Sequence, residues 1–446
     1  MRRRPERHLR CLSIAAAWML GACTTQPSPQ HVLFISLDAV RADHLGVYGD
    51  PRNLTPNLDD FARRSVVFES AFTPDPWTLS AHTTMLTGLH PSVHGVNEAH
   101  RLPDEVATLA EAFSGAGFGT TALVSDVPWM GSRYGQYQGF DAVRKHKASD
   151  EAVADLVTTL DGAERPTMVF AHFYDAHSDA GVWPYEADDQ DRAALGLPEK
   201  APSCGPCGSS LLRSHNDGRP LSPDAIEMVS RGYAASLRSL DRRLGVLFDG
   251  LRQRGLLDRM IVVVTADHGE ELTEHGRFLH DQFFDEVTRV PLLIHRPGRA
   301  PGRCDALISL VDIAPTVAAI ADVPFAATDG ISGASLLDDC SSENEVRSAV
   351  LFDTHAGLVG VRTAKHSLIG HGGTWRLHDL STDPGQRANI NQTAQGAQAL
   401  PALRQTLLDE QERLRGLRAG FSSVPIPTPI DQAQLERLKA LGYVAP

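Results

Sequence analysis

Positive charge is in short supply: 42 lysines and arginines stand against 55 aspartates and glutamates, a net charge of −13 over 446 residues. The basic footprint of a nucleic-acid binder is missing, so no nucleic-acid partner is expected. Cysteines are scarce too, six in all, too few for a scaffold held together by disulfides. The apolar run Cys11 to Leu20 is too short to read as a membrane span, and no internal repeat or low-complexity tract is visible. What remains, 42% hydrophobic and 22% charged, is an ordinary globular composition, long enough to bury a large core.

The first residues stand apart from that core. Arg2, Arg3, Arg4, Arg7 and Arg10 precede the short apolar run, and Leu20-Gly21-Ala22-Cys23 follows it. This pattern reads as a secretory signal over residues 1–22. Its end resembles the lipobox of bacterial lipoproteins, which implies lipidation of Cys23, a tether over residues 23–30 and a lipid-anchored place in a bacterial cell envelope. Membrane contact is expected through the lipid anchor only. Residues 1–22 carry five arginines and one glutamate, so their removal takes the net charge to −17. In an oxidising compartment Cys204 and Cys207 are expected to form a local disulfide, and parity allows Cys304 with Cys340.

Beyond the tether, apolar β-branched runs alternate with helical text. Strands are expected at His31 to Leu37, Thr120 to Ser125, Thr167 to Phe173, Met260 to Thr265 and Val290 to His295, with C-terminal ones at Ala349 to Phe352 and Leu358 to Arg362. Tyr233, Leu237, Leu240, Leu244, Phe248 and Leu251 recur at steps of three and four, the stripe of a core-facing helix. Continuous apolar strands between such helices predict an α/β fold around a buried, mostly parallel sheet, whose chemistry lies beyond the strand carboxyl ends. Residues 178–222, rich in Asp, Pro, Gly and Ser, read as a long loop insertion facing the site.

Asp38 follows the first strand directly, and Asp267-His268 follows Met260 to Thr265. Neighbouring strand ends bring such groups together, and two carboxylates with an imidazole suit a divalent metal. The stretch from Trp77 through Thr78, Ser80 and His82 to Leu86-Thr87-Gly88 then resembles the signature of the sulfatase family, in the alkaline phosphatase superfamily. Flanking matches follow in order: Leu37 to Leu45, Thr55 to Leu58, Val264 to Gly269, Glu274-His275-Gly276, Arg289 to Leu292, Val311 to Thr316 and Leu441 to Val444.

The resemblance implies an alkaline-phosphatase-like fold, with a catalytic domain over residues 31–340 and a smaller C-terminal α+β subdomain over 341–446. It puts Thr78 at the nucleophile position. Family members convert Cys or Ser there to formylglycine, which a threonine cannot become, so none is expected. Direct attack by Thr78 on an anionic ester is implied instead, phosphate favoured over sulfate. The metal ligands implied are Asp38, Thr78, Asp267 and His268, holding one divalent ion. Ala39 replaces the second Asp of calcium-binding relatives and His268 their Asn, which favours zinc or manganese over calcium. His82, His177 and His280 are implied as catalytic histidines near the reacting group, Asn97 as a candidate substrate contact, and Arg41, Asp43 and Asp312 as framework. A headgroup transferase and an inactive binding lipoprotein stay open as alternatives.

Overall fold

A computed structural model describes residues 31–179, 184–198, 207–325, 347–354, 357–421 and 426–427. The expected lipidation at Cys23, and Cys204 and Cys340 with their pairings, lie outside the described residues; Cys304 is buried.

Nine strands make the central sheet: β1 (His31–Leu37), β2 (Val66–Phe72), β3 (Gly119–Ser125), β4 (Ala142–His146), β5 (Thr167–Phe173), β6 (Met260–Ala266), β7 (Arg289–Val290), β8 (Leu292–His295) and β9 (Gly302–Ser309). The order is β7-β2-β8-β6-β1-β5-β3-β4, with β9 on the other side of β2. Only β7 and β8, interrupted at Pro291, run antiparallel to their neighbours. Strands β1, β5 and β6 are buried along their whole length, which explains their unbroken apolar sequences. Because β1 lies between β5 and β6 in matched register, Leu37 pairs with both Phe173 and Ala266. The three following loops therefore open at one level, and the residues after each strand converge.

Helices cover the sheet. The long helix α2, Pro223–Gln253, buries its whole predicted stripe, with Phe248 stacked on Phe61 of α1 (Pro56–Ala62) at 4.5 Å between ring centres. Asp241 of the long helix accepts from the backbone amides of Asn57 and Leu58, capping α1. A four-stranded antiparallel sheet, Ala349–Asp353, Leu358–Thr363, His366–His371 and Thr374–Asp379, and the helix Ala394–Ala419 complete the C-terminal part. The fold is thus the expected α/β architecture with a C-terminal α+β portion. The expected loop over 178–222 is partly helical instead: Asp189–Ala194 and Cys207–Asn216 are helices, the first held to the long helix by Arg242 and Asp191 at 2.7 Å.

Candidate active site and metal centre

Three loops meet at the carboxyl ends of β1, β5 and β6. After β1 the chain turns at Ala39, whose φ of 58° is left-handed. That turn is clamped from two sides. The Ala39 amide donates to Asp267 Oδ1 (3.2 Å), and its carbonyl accepts from the Tyr233 hydroxyl (2.8 Å). The position that is a second aspartate in the calcium motif thus holds backbone in place and supplies no ligand. After β6, Gly269 approaches the Glu286 carbonyl so closely that an added Cβ would lie 2.1 Å from it, so only glycine fits after His268.

Asp38, Asp267 and His268 are fully buried, and one atom of each is left without a hydrogen bond: Asp38 Oδ1, Asp267 Oδ2 and His268 Nε2. Those atoms face one another. His268 Nε2 lies 3.7 Å from Asp38 Oδ1 and 3.6 Å from Asp267 Oδ2. The Nδ1–H of His268 donates to the Gly269 carbonyl at 2.8 Å, so its Nε2 presents a lone pair. Burial lowers this imidazole to about 4 and keeps it neutral. Burial also raises the Asp38 carboxyl well above its ordinary value, and repulsion from Asp267, Glu270 and Asp179 adds to the shift. Orphaned acceptors and a bare lone pair gathered in the dry interior are what a cation offsets. Two carboxylate oxygens and one nitrogen fit a divalent transition metal.

Thr78 opens the buried ten-residue helix Thr78–Thr87, which ends at Gly88 in the left-handed conformation. Its hydroxyl approaches the Asp38 carboxylate closely enough to favour the ionised form. His82 sits one turn further on. Its Nδ1–H donates to the Thr78 carbonyl at 2.6 Å, and its Nε2 is bonded to the Ser36 hydroxyl at 2.9 Å. The contact with Thr78 is thus to the backbone and not to the hydroxyl, and both ring nitrogens are occupied.

His177 and His280 close the other side. His280 stacks on His268 with ring centres 4.1 Å apart and lies 5.7 Å from His177. Nδ1–H of His280 donates to the Pro76 carbonyl at 2.8 Å, leaving Nε2 unprotonated, with the imidazole lowered to about 4 by burial and by His268. His177 is the reverse tautomer. Its Nδ1 accepts from the Asp179 amide at 3.2 Å, so its Nε2 carries the proton and is a donor. His177, His268 and His280 are close enough to hold an ion together, but that tautomer of His177 favours a single ion at Asp38, Asp267 and His268.

The sulfatase family profile matches residues 30–323, and the C-terminal region of N-sulphoglucosamine sulphohydrolase matches residues 273–413. The chain belongs to the sulfatase family. It is 28% identical over 338 residues to an ulvan-active sulfatase of Formosa agariphila, covering 70% of this chain and 65% of that one, just under two thirds of the relative's length. It is 24% identical over 403 residues to the choline-sulfatase of Rhizobium meliloti (76% and 78%) and 25% identical over 478 to human arylsulfatase A (87% and 89%). Among solved structures, the phosphonate monoester hydrolase of Agrobacterium radiobacter superposes with a TM-score of 0.68 at 20% identity, covering 88% of this chain and 96% of that chain. Another, solved with its substrate D-glucosamine-2-N,6-O-disulfate, gives 0.69 at 20% identity, with 87% and 98% covered.

Within this sulfatase-family site the fold gathers Asp38, Thr78, His82, His177, Asp267, His268 and His280. Asn97 Oδ1 accepts from the Ala99 amide and is bonded to the His100 ring in its own turn. Arg41 bridges Asp43 and Glu274, and Asp312 pairs with Arg347, as framework residues do. The sequence reading missed His172 and Glu270. His172 Nε2–H donates to Asp38 Oδ2 at 2.9 Å and fixes that carboxylate; the available signal was a histidine at the end of an otherwise apolar strand. Glu270 is fully buried behind the ligands, its carboxyl raised by burial.

Proposed function

We propose that the protein is a metal-dependent ester hydrolase that cleaves phosphate esters in preference to sulfate esters, with Thr78 as the nucleophile. The observation that carries this reading is the Thr78 hydroxyl, set against Asp38 at the head of a buried helix beside three orphaned donor atoms. Asp38, Asp267 and His268 would hold one zinc or manganese ion, with the Thr78 hydroxyl beside it. Such an ion supplies Lewis acidity, which eases deprotonation of an adjacent hydroxyl and offsets the charge of an anionic ester.

The residues of the chain perform the rest. The helix N-terminus at Thr78 favours a bound anion, and the His177 Nε2–H donates to a non-bridging oxygen. Thr78 would give its proton to solvent; its Oγ1 bonds to phosphorus as the ester P–O bond breaks on the opposite side, where His280 passes a proton taken from solvent to the leaving alcohol. Water then gives its proton to His280 and its oxygen to phosphorus. Thr78 departs on the opposite side and is reprotonated from solvent, to which His280 releases its proton. His82 acts as a positioning residue that holds the first turn of the helix through the Thr78 carbonyl.

A sulfate ester is the second reading, favoured by the named relatives, which are sulfatases. Zinc- or manganese-loaded protein assayed on aryl phosphate, aryl phosphodiester and aryl sulfate decides between them. The larger kcat/KM is expected on phosphorus; a larger value on sulfate reverses the preference, and turnover of none supports a binding lipoprotein. Free alcohol and phosphate in equal amounts indicate a hydrolase, and phosphoryl found on an added acceptor indicates a transferase. The lipobox-like sequence supports a place on the cell envelope through Cys23. Labelling with a fatty acid that survives Cys23→Ala would argue against that anchor.

A further inference from the structure

The segment that delivers Thr78 also builds a wall. Asp75, Pro76 and Trp77 line a cavity of about 390 Å³ that reaches His280, whose Nδ1–H is bonded to the Pro76 carbonyl. Trp77 and Trp129 meet edge to face in its wall, ring centres 5.1 Å apart at 74°. Three carboxylates, Asp75, Glu98 and Asp281, share the lining with one guanidinium, Arg213. Asp75 is 2% exposed, and its carboxyl is pushed up to about 7 by burial, with Ser80 favouring the ionised form and Asp353 and Glu98 opposing it. Acidic groups crowded around an aromatic-walled space are relieved by a cation, which indole faces also attract.

We propose that this cavity is the leaving-group pocket and takes an alcohol bearing an ammonium group, with Asp75 and Glu98 as its charge partners and Trp77 and Trp129 as its walls. The assignment as leaving-group pocket rests on attack by Thr78, because in-line departure places the alcohol beside His280. An anionic alcohol is disfavoured there by like charge, and an uncharged one leaves the repulsion between Asp75 and Glu98 in place.

The test is a binding titration of the metal-loaded protein, followed by NMR, with aminobutanol, its uncharged isostere pentanol, and glucose. Aminobutanol is expected to bind at least about tenfold more tightly than pentanol, since charge-assisted and cation–π contacts add to the shared apolar ones. Asp75→Asn and Glu98→Gln should each shrink that ratio toward one, and Glu98→Gln, at a less buried position, serves if Asp75→Asn fails to fold. Equal binding of the two isosteres, tighter binding of glucose, or a ratio unmoved by both substitutions overturns the proposal. No turnover is involved, so failure here leaves the role of Thr78 standing, and failure of Thr78 in catalysis leaves the binding result intact.

Discussion

Two pairs of buried histidines teach different lessons. His90 and His94, below the C-terminal sheet, have every ring nitrogen engaged: His90 with Ser92 and the Leu351 carbonyl, His94 with Thr84 and the Val96 amide. His268 and His280, at the strand ends, each spend Nδ1 on a backbone carbonyl, and the Nε2 of His268 is an orphaned buried atom. Burial lowers every one of these imidazoles. What separates these two pairs is the unsatisfied atom and the company it keeps: the bare His268 Nε2 faces two orphaned carboxylate oxygens.

The contrast can be broken most severely at the nucleophile. Thr78→Ala should lower kcat at least about a thousandfold while the fold persists, because no other hydroxyl replaces an attacking oxygen. Next comes the metal. Chelation should abolish turnover, with recovery on adding zinc or manganese, and should lower the melting temperature by the linkage a bound ion supplies, about 3 kcal/mol at a hundredfold excess over Kd. Full activity after exhaustive chelation would remove the metal from the account. His172→Gln should then weaken metal affinity by about 10- to 100-fold, as loss of a group that orients a ligand does, without touching Thr78.

The packing pair should respond in the opposite way. His90→Ala is expected to cost about 1–3 kcal/mol of unfolding free energy, measured by denaturant titration, with kcat per folded molecule unchanged. A pH series sharpens this further. His90 and His94 lie at about 3 in the folded state against 6.5 unfolded, so on acidification the unfolded chain takes up protons first. Their contribution is complete above about pH 6.5 and is lost as the pH falls toward 3. The double variant His90→Gln, His94→Gln should flatten that slope.

Sequence patterns were most legible where the interior is driest. β1, β5 and β6 carry continuous apolar runs because neighbours cover both faces, and each was readable to within a residue. β4 and β9 were not, for they are edge strands, and Arg144, Lys145, Arg303 and Asp305 face water and dilute the signal. β2 was hidden because Glu69 and Ser70 interrupt its run. At the site, Asp38 and Asp267-His268 were visible because they punctuate strand ends. His172 was not, since a single polar residue in an apolar strand reads as core until the register sets it beside Ser36 and under Asp38. Asp75 escaped for a similar reason, as an aspartate between prolines has the look of a turn.

The central claim is that Thr78 oxygen bonds to the phosphorus it attacks. Rapid acid quench of metal-loaded enzyme during turnover of an aryl phosphate, followed by peptide mass spectrometry, tests it directly. One phosphoryl group is expected on Thr78 in the wild type and none in Thr78→Ala. Turnover that persists in Thr78→Ala, or an adduct found on Ser80 in place of Thr78, would contradict it.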